Sequence, residues 1–356
     1  MKRIIPTILA FACLAARCFA EPKIEIGEIN GANFRIDVPE NWNGALVMYC
    51  HGYNPSAGNF DPAKPSTILN SLPGYAVAQS GYSAGGWAIQ EAVADTEALR
   101  RYFARKYGAP KETYVTGHSM GGFLTMTLLE QFPNSYDGGL ALCGPLAPAA
   151  WFMARRVFDM AVVFAYYFPD ALPAPDNVPS DYTASKEQSA RIERLLDDKP
   201  DAAAAFRRYT NIKTNKEAAA TIVFFTYILK DLRQRGGGNP FDNRNTIYDG
   251  TPDDNAVNDG VKRYESNARA AEYVRTWYTP SGKLTRPMLA IHTTYDPLVP
   301  PWVPDQYQTI AELGGGASMF VQQYVKRDGH CAFAQQEIAQ GFAQLREWKA
   351  KGVRPK

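Results

Sequence analysis

Residues 112–132 read Glu-Thr-Tyr-Val-Thr-Gly-His-Ser-Met-Gly-Gly-Phe-Leu-Thr-Met-Thr-Leu-Leu-Glu-Gln-Phe. The first part is rich in β-formers, the run breaks at glycines, and apolar residues then recur at helical spacing. This predicts a strand, a tight turn and a helix. Gly117, Ser119 and Gly121 stand at the turn in the order G-x-S-x-G. Small residues there let the chain reverse sharply and leave the Ser119 hydroxyl in the open. The Met120 amide follows at the start of the helix, so an anion forming beside Ser119 meets an N–H and the positive end of the helix. Glycine-rich turns produce this pattern by chance, so the reading depends on the flanking strand and helix and on partners further along the chain.

The chain opens with Lys2 and Arg3, an apolar run from Ile4 to Ala16, and Cys18-Phe19-Ala20 before Glu21-Pro22. Residues 1–20 read as a cleaved secretory signal, too short for a membrane span. A lipoprotein anchor is the alternative, but Arg17 precedes Cys18, and Ala10-Phe11-Ala12 before Cys13 matches poorly. The formal net charge of +2, less the three cations Lys2, Arg3 and Arg17, leaves −1 on the mature protein. No basic surplus remains for nucleic acid or anionic lipid.

Beyond the leader, residues 23–29 and 34–39 read as a hairpin around Asn30-Gly31, and the continuous apolar run 45–50 as a central buried strand. It leads into His51-Gly52-Tyr53, where the Tyr53 amide is the expected second donor to an anion at Ser119. Residues 75–79 are a strand. Residues 90–107 are an amphipathic helix that turns Ala94, Ala98, Leu99, Tyr102 and Phe103 to the sheet. Residues 139–143 are the strand after the serine helix. Alternating strands and helices predict a mostly parallel sheet covered on both faces, an α/β fold. From Pro145 the pattern is helical, over 151–168, 186–195, 202–209, 217–234 and 261–278. The expected organisation is therefore core at 21–144, a helical cap at 145–285 over the carboxyl end of the sheet, and core again at 286–356. The apolar run 160–168 is expected to be cap core rather than exposed lid surface. Residues 239–260 are rich in Asp and Asn, which can hold Ca²⁺, but their spacing is not that of an EF-hand and the same residues form ordinary turns. No metal or cofactor is assigned. The sheet resumes at 286–294, followed by a helix at 302–313, a strand at 319–325 and a final helix at 333–351.

A serine hydroxyl needs a base to take its proton, and the imidazole that does so needs a carboxylate to fix its tautomer. Of the four histidines, His51 lies in the turn after the central strand, His118 is the variable position before Ser119, and His292 lies inside a strand. His330 alone follows the last strand in a loop. Asp296 stands just past the preceding strand, and Asp328 is the alternative acid.

On His51-Gly52, Gly117-His118-Ser119-Met120-Gly121, Asp296 and His330 in that order, the chain resembles the α/β-hydrolase superfamily over its mature length. The resemblance implies an α/β-hydrolase fold with a helical cap, Ser119 as nucleophile, Asp296 and His330 as its relay, and Met120 and Tyr53 as oxyanion donors. His51, Trp87, His118, Trp151 and Phe152 are candidates for the substrate pocket. Gly329-His330-Cys331 and the stretch from Trp348 to Pro355 are similar to secreted tannase and feruloyl esterase relatives. That subfamily bridges a cysteine directly before its serine to the one after its histidine, and here the preceding residue is His118. Signal removal leaves Cys50, Cys143 and Cys331. In the hydrolase strand order, Cys143 lies on the side from which the histidine loop arrives, so Cys143–Cys331 is the expected bridge. Three buried thiols are the alternative.

The expected activity is a secreted or periplasmic, cofactor-free serine esterase acting on a small or polymer-attached ester, with no nucleic acid partner and no membrane span. A prolyl-oligopeptidase-type peptidase or amidase keeps the chemistry and changes the bond. A non-catalytic binding protein on the same scaffold is the third reading.

Overall fold

The computed structural model describes residues 23–356; the expected signal at 1–20 lies outside them. Eight strands form one sheet in the order β1-β2-β4-β3-β5-β6-β7-β8. They are β1 (Lys23–Ile29), β2 (Ala32–Val38), β3 (Ala45–Cys50), β4 (Ala76–Ser80), β5 (Glu112–His118), β6 (Gly138–Leu142), β7 (Met288–Tyr295) and β8 (Phe320–Asp328). β3 to β8 run parallel, while β1 pairs antiparallel with β2 and β2 with β4. The parallel centre is apolar on both faces: every residue of β6 is buried, as are most of β3, β5 and β7. Such strands need helices above and below. These are α1 (Ile89–Tyr107), α2 (Met120–Gln131), α10 (Gln306–Gly314) and α11 (Gln335–Lys351). This is the fold of the α/β-hydrolases.

Between β6 and β7 the chain is helical: α3 (Ala149–Phe152), a π-helical turn over Met153–Phe158, α4 (Asp159–Tyr167), α5 (Lys186–Asp198), α6 (Pro200–Thr210), α7 (Asn215–Gly236), α8 (Asp254–Gly260) and α9 (Ala268–Thr276). The apolar run at 160–168 packs inward, with Phe164 stacked on Phe168 at 5.1 Å and edge-on to Phe206 at 5.2 Å. One sequence expectation fails here, because 261–278 is not a single helix. Asn267 caps α9 by accepting the Ala270 amide, and the Tyr264 amide bonds Asn243 Oδ1 rather than a helical carbonyl. The helix expected at 302–313 begins only at Gln306, after Pro300, Pro301 and Pro304 have spent themselves in turns.

The Asp/Asn-rich loop turns its oxygens on its own chain. Asp242 binds Arg244, Asp254 accepts from Thr251, and Asp253 caps α8. Among the described residues no cluster of three or more His, Cys, Asp or Glu side chains is placed to hold a metal, and no helix is long and apolar enough to cross a membrane.

Candidate active site

β5 ends at His118, and Ser119 turns the chain into α2 with φ 57° and ψ −119°. A side chain in that left-handed region is strained and persists only where its surroundings fix it. The Ser119 amide donates to the Leu142 carbonyl at 2.9 Å. Gly117 and Gly121 flank the turn, and a Cβ on either would collide with the carbonyl oxygen of Cys50 at the end of β3. The turn can therefore lie against β3 only with glycine at both positions. Met120 is the first residue of α2, so its amide has no partner within the helix.

β7 ends at Tyr295 and delivers Asp296, which is 2% exposed. Its Oδ1 accepts the amides of Leu298 and Val299, each at 2.9 Å. Its Oδ2 accepts the Nδ1 proton of His330 at 2.6 Å. The other ring nitrogen of His330, Nε2, lies 2.8 Å from Ser119 Oγ and can take the hydroxyl proton. Burial acts to raise the Asp296 pKa, but the bond and charge of His330, the Val299 amide and His292 outweigh it. The carboxyl group is held below its ordinary value of 3.8. Three chain segments, from the ends of β5, β7 and β8, thus meet in one relay, in a geometry suited to general-base activation.

Asp328, the alternative acid, pairs with Lys213 Nζ at 2.5 Å on the surface. The other three histidines are held elsewhere. His292 is buried under the acid turn and donates from Nε2 to the Val299 carbonyl at 2.7 Å. His51 stacks on Tyr82 at 4.0 Å, and its Nδ1 bonds the Gly52 carbonyl. His118 lies 3.1 Å from the Tyr49 hydroxyl through Nδ1. Burial lowers the pKa of all three. His118 falls from its ordinary 6.5 to about 4, with the charge of His330 adding to the effect.

A folded-state pKa below the unfolded one means that the unfolded chain holds more protons between the two values. Stability is therefore lost as the pH falls below 6.5, by about 1.4 kcal/mol per pH unit for each proton taken up. Urea midpoints should drop steeply between pH 7 and pH 4.5. Midpoints that stay level across that range would show these rings to be protonated in the fold.

Beside Ser119 lies a narrow apolar pocket of about 40 Å³. Tyr53, Trp87, Phe152, Phe224, Phe225 and Ile228 line it, together with Ser119, Met120 and His330. Of the residues expected there from sequence, Trp87 and Phe152 are present and His51, His118 and Trp151 are not. Trp151 follows the helical rotation away from Phe152 and packs edge-on to Trp302 at 5.6 Å. His51 instead lines a separate polar cleft with Asn54, Asn59 and Gln79. Phe224, Phe225 and Ile228 on α7 are absent from the sequence reading. The run Thr-Ile-Val-Phe-Phe-Thr-Tyr-Ile-Leu, apolar on nearly every side, was their one signal.

A family model described as serine aminopeptidase, S33 (Hydrolase_4) matches residues 43–235. The chain belongs to this family. The o-phthalyl amidase of Xanthobacter agilis is 27% identical over 158 residues, 42% of this chain and 34% of that protein. An esterase from Aspergillus oryzae matches in structure with a TM-score of 0.51 and 14% identity, over 91% of this chain and 78% of that one, which supports the fold. An acylaminoacyl peptidase of Pyrococcus horikoshii gives 0.48 and 11%, over 94% of this chain and 42% of that one. The chain thus spans about a third of the amidase and under half of the peptidase.

Proposed function

We propose that the chain hydrolyses carboxylic esters through an acyl-enzyme, with Ser119 as nucleophile, His330 as base and Asp296 as the acid that orients it. The carrying observation is the continuous relay from Ser119 Oγ through both His330 nitrogens to Asp296 Oδ2, at 2.8 and 2.6 Å. As Ser119 attacks the acyl carbon, His330 takes its proton. The oxyanion is held by the amides of Met120 and Tyr53. His330 then gives the proton to the departing alcohol, and water repeats the sequence to release the acid.

Among the described residues, the lining of the apolar pocket contains no Asp, Glu, Lys or Arg. An aminopeptidase substrate would bury its ammonium there unpaired, at a cost of several kcal/mol. A neutral acyl group meets no such penalty, which favours esters. The similarity to the o-phthalyl amidase favours a second reading, an amidase.

Fluorophosphonate labelling followed by p-nitrophenyl ester and p-nitroanilide assays separates the readings. Labelling with ester turnover supports the first, and anilide turnover of comparable kcat/KM supports the second. Absence of labelling would leave a binding protein on a hydrolase scaffold.

Residues 145–285 act in this reading as a cap that closes the pocket. Phe152→Ala and Phe224→Ala should therefore extend the preferred acyl chain by several carbons, measured as kcat/KM across an ester series. An unchanged preference would return both rings to packing alone. Export fits the Cys143–Cys331 disulfide, since such bridges persist in oxidising compartments. Sequencing of the exported protein should begin at Glu21.

A further inference from the structure

Arg156 lies in the π-helical turn between α3 and α4 and is 4% exposed. Its Nη1 donates to the Thr210 carbonyl at 2.8 Å, its Nη2 donates to the Pro297 carbonyl, and its guanidinium lies 5.9 Å from the centre of the Phe225 ring. Among the described residues no carboxylate lies within ion-pair distance of it, and its Nε has no partner. Burying a guanidinium in this way costs several kcal/mol that an apolar side chain of similar size would not incur. Burial lowers its pKa to about 10, and the opposing influence is led by the charge of Asp296.

The peptide unit it grips is the one that matters to the acid. The Pro297 carbonyl and the Leu298 N–H belong to one planar peptide group. Arg156 binds the first, and Asp296 Oδ1 accepts the second at 2.9 Å. A cation on the carbonyl polarises the group and strengthens the N–H as a donor. The π-helical turn is the local irregularity that carries this residue: Phe152 and Met153 face the pocket, while Arg156, three residues on, reaches the acid turn.

We propose that Arg156 is a positioning residue for Asp296: it fixes the turn at 296–299 and favours the ionised acid, making the helical segment part of the machinery that aligns His330. This rests on the triad reading above. The other titratable groups about the turn are His292 and His330 at Asp296, and Tyr209 and Tyr295 near Arg156. Glu217 and Lys213 in turn contact Tyr295.

The test compares Arg156→Gln and Arg156→Lys with wild type and Ser119→Ala on one p-nitrophenyl ester. Arg156→Gln should lower kcat on the order of 10²-fold with KM within about twofold, since the substrate does not touch it. A fixed cation near Asp296 opposes protonation of the site, so its loss should move the acid limb of kcat/KM upward by roughly 0.5–1 pH unit. Arg156→Lys keeps the charge and loses the fork, so its limb should stay in place while kcat falls about tenfold. A general loss of stability would not produce this split. Arg156→Gln with kcat within threefold of wild type and an unmoved limb would overturn the inference. If that variant does not unfold cooperatively, Arg156→Lys decides, and wild-type kcat at every pH would overturn it. Turnover by Ser119→Ala would instead bring down the triad reading, whereas an inert Ser119→Ala beside wild-type-like Arg156 variants removes only the role given to Arg156.

Discussion

Ser119→Ala and His330→Ala should each lower kcat by about 10⁶-fold, the loss found when the nucleophile or base of such a relay is removed. The size follows from how the groups depend on one another. Without the hydroxyl there is no acyl-enzyme, and without the imidazole the hydroxyl keeps its proton at neutral pH. The double variant should accordingly be no worse than either single one. Residual turnover would come from the amides and the pocket alone. Neither change should disturb the fold greatly: among the described residues Ser119 Oγ has His330 as its one side-chain partner, and the His330 ring is partly exposed. Steady-state kinetics beside urea unfolding measures both effects. Activity within tenfold of wild type in either variant would remove that residue from the mechanism.

The elbow was legible because its constraints are local. Gly117 and Gly121 lie one residue either side of Ser119's neighbours, and the carbonyl they must clear belongs to the adjacent strand of any such sheet. His330 and Asp296 could be proposed because a parallel sheet sends its strand ends to one edge; Asp328, at the end of β8, stayed open as the alternative acid until the structure paired it with Lys213. The structure brings His330 and Asp296 together with Ser119. What could not be read depends on packing between distant segments. α7 is apolar around much of its circumference, so the chain gives no sign that Phe224, Phe225 and Ile228 are the part that meets the pocket. Trp151 and Phe152 are equivalent in sequence, and the start of the helical segment sends only the second inward. Arg155 and Arg156 are adjacent and identical in sequence, yet Arg155 binds Asp159 near the surface while Arg156 goes to the acid turn. Residues 261–267 have helical composition, but the backbone partners offered by Asn239 and Asn243 take them out of the helix.

Replacing Cys143 and Cys331 by serine should bring the largest loss of stability and also impair turnover. The bridge joins the end of β6 to the residue after His330, with Cα atoms 5.2 Å apart and a sequence separation of 188. Closing so long a loop restricts the unfolded chain strongly. The chain-entropy estimate is about 5 kcal/mol, and measured values for removing such bridges are about 2–5 kcal/mol. The link to turnover is local. Cys143 and Cys331 both sit at positive φ, 48° and 54°, which residues with a side chain rarely adopt unless held there. Cys143 Sγ also lies 3.4 Å from the Ser119 amide, so the bridge touches the serine turn at one end and adjoins the base at the other. Freed of it, residues 329–332 lose a tether beside His330, and a misplacement of about 1 Å at the base would cost on the order of 10²-fold in kcat. KM should change little, because neither cysteine lines the pocket. Urea unfolding and ester kinetics on the double serine variant measure the two effects separately. Among the described residues, alkylation of the unreduced, denatured protein should find a single thiol, that of the buried Cys50. A variant with wild-type midpoint and wild-type kcat would show that the loop is held by its other bonds, chiefly the Gly329 amide to the Tyr295 carbonyl and Thr293 Oγ1 to the Gly329 carbonyl.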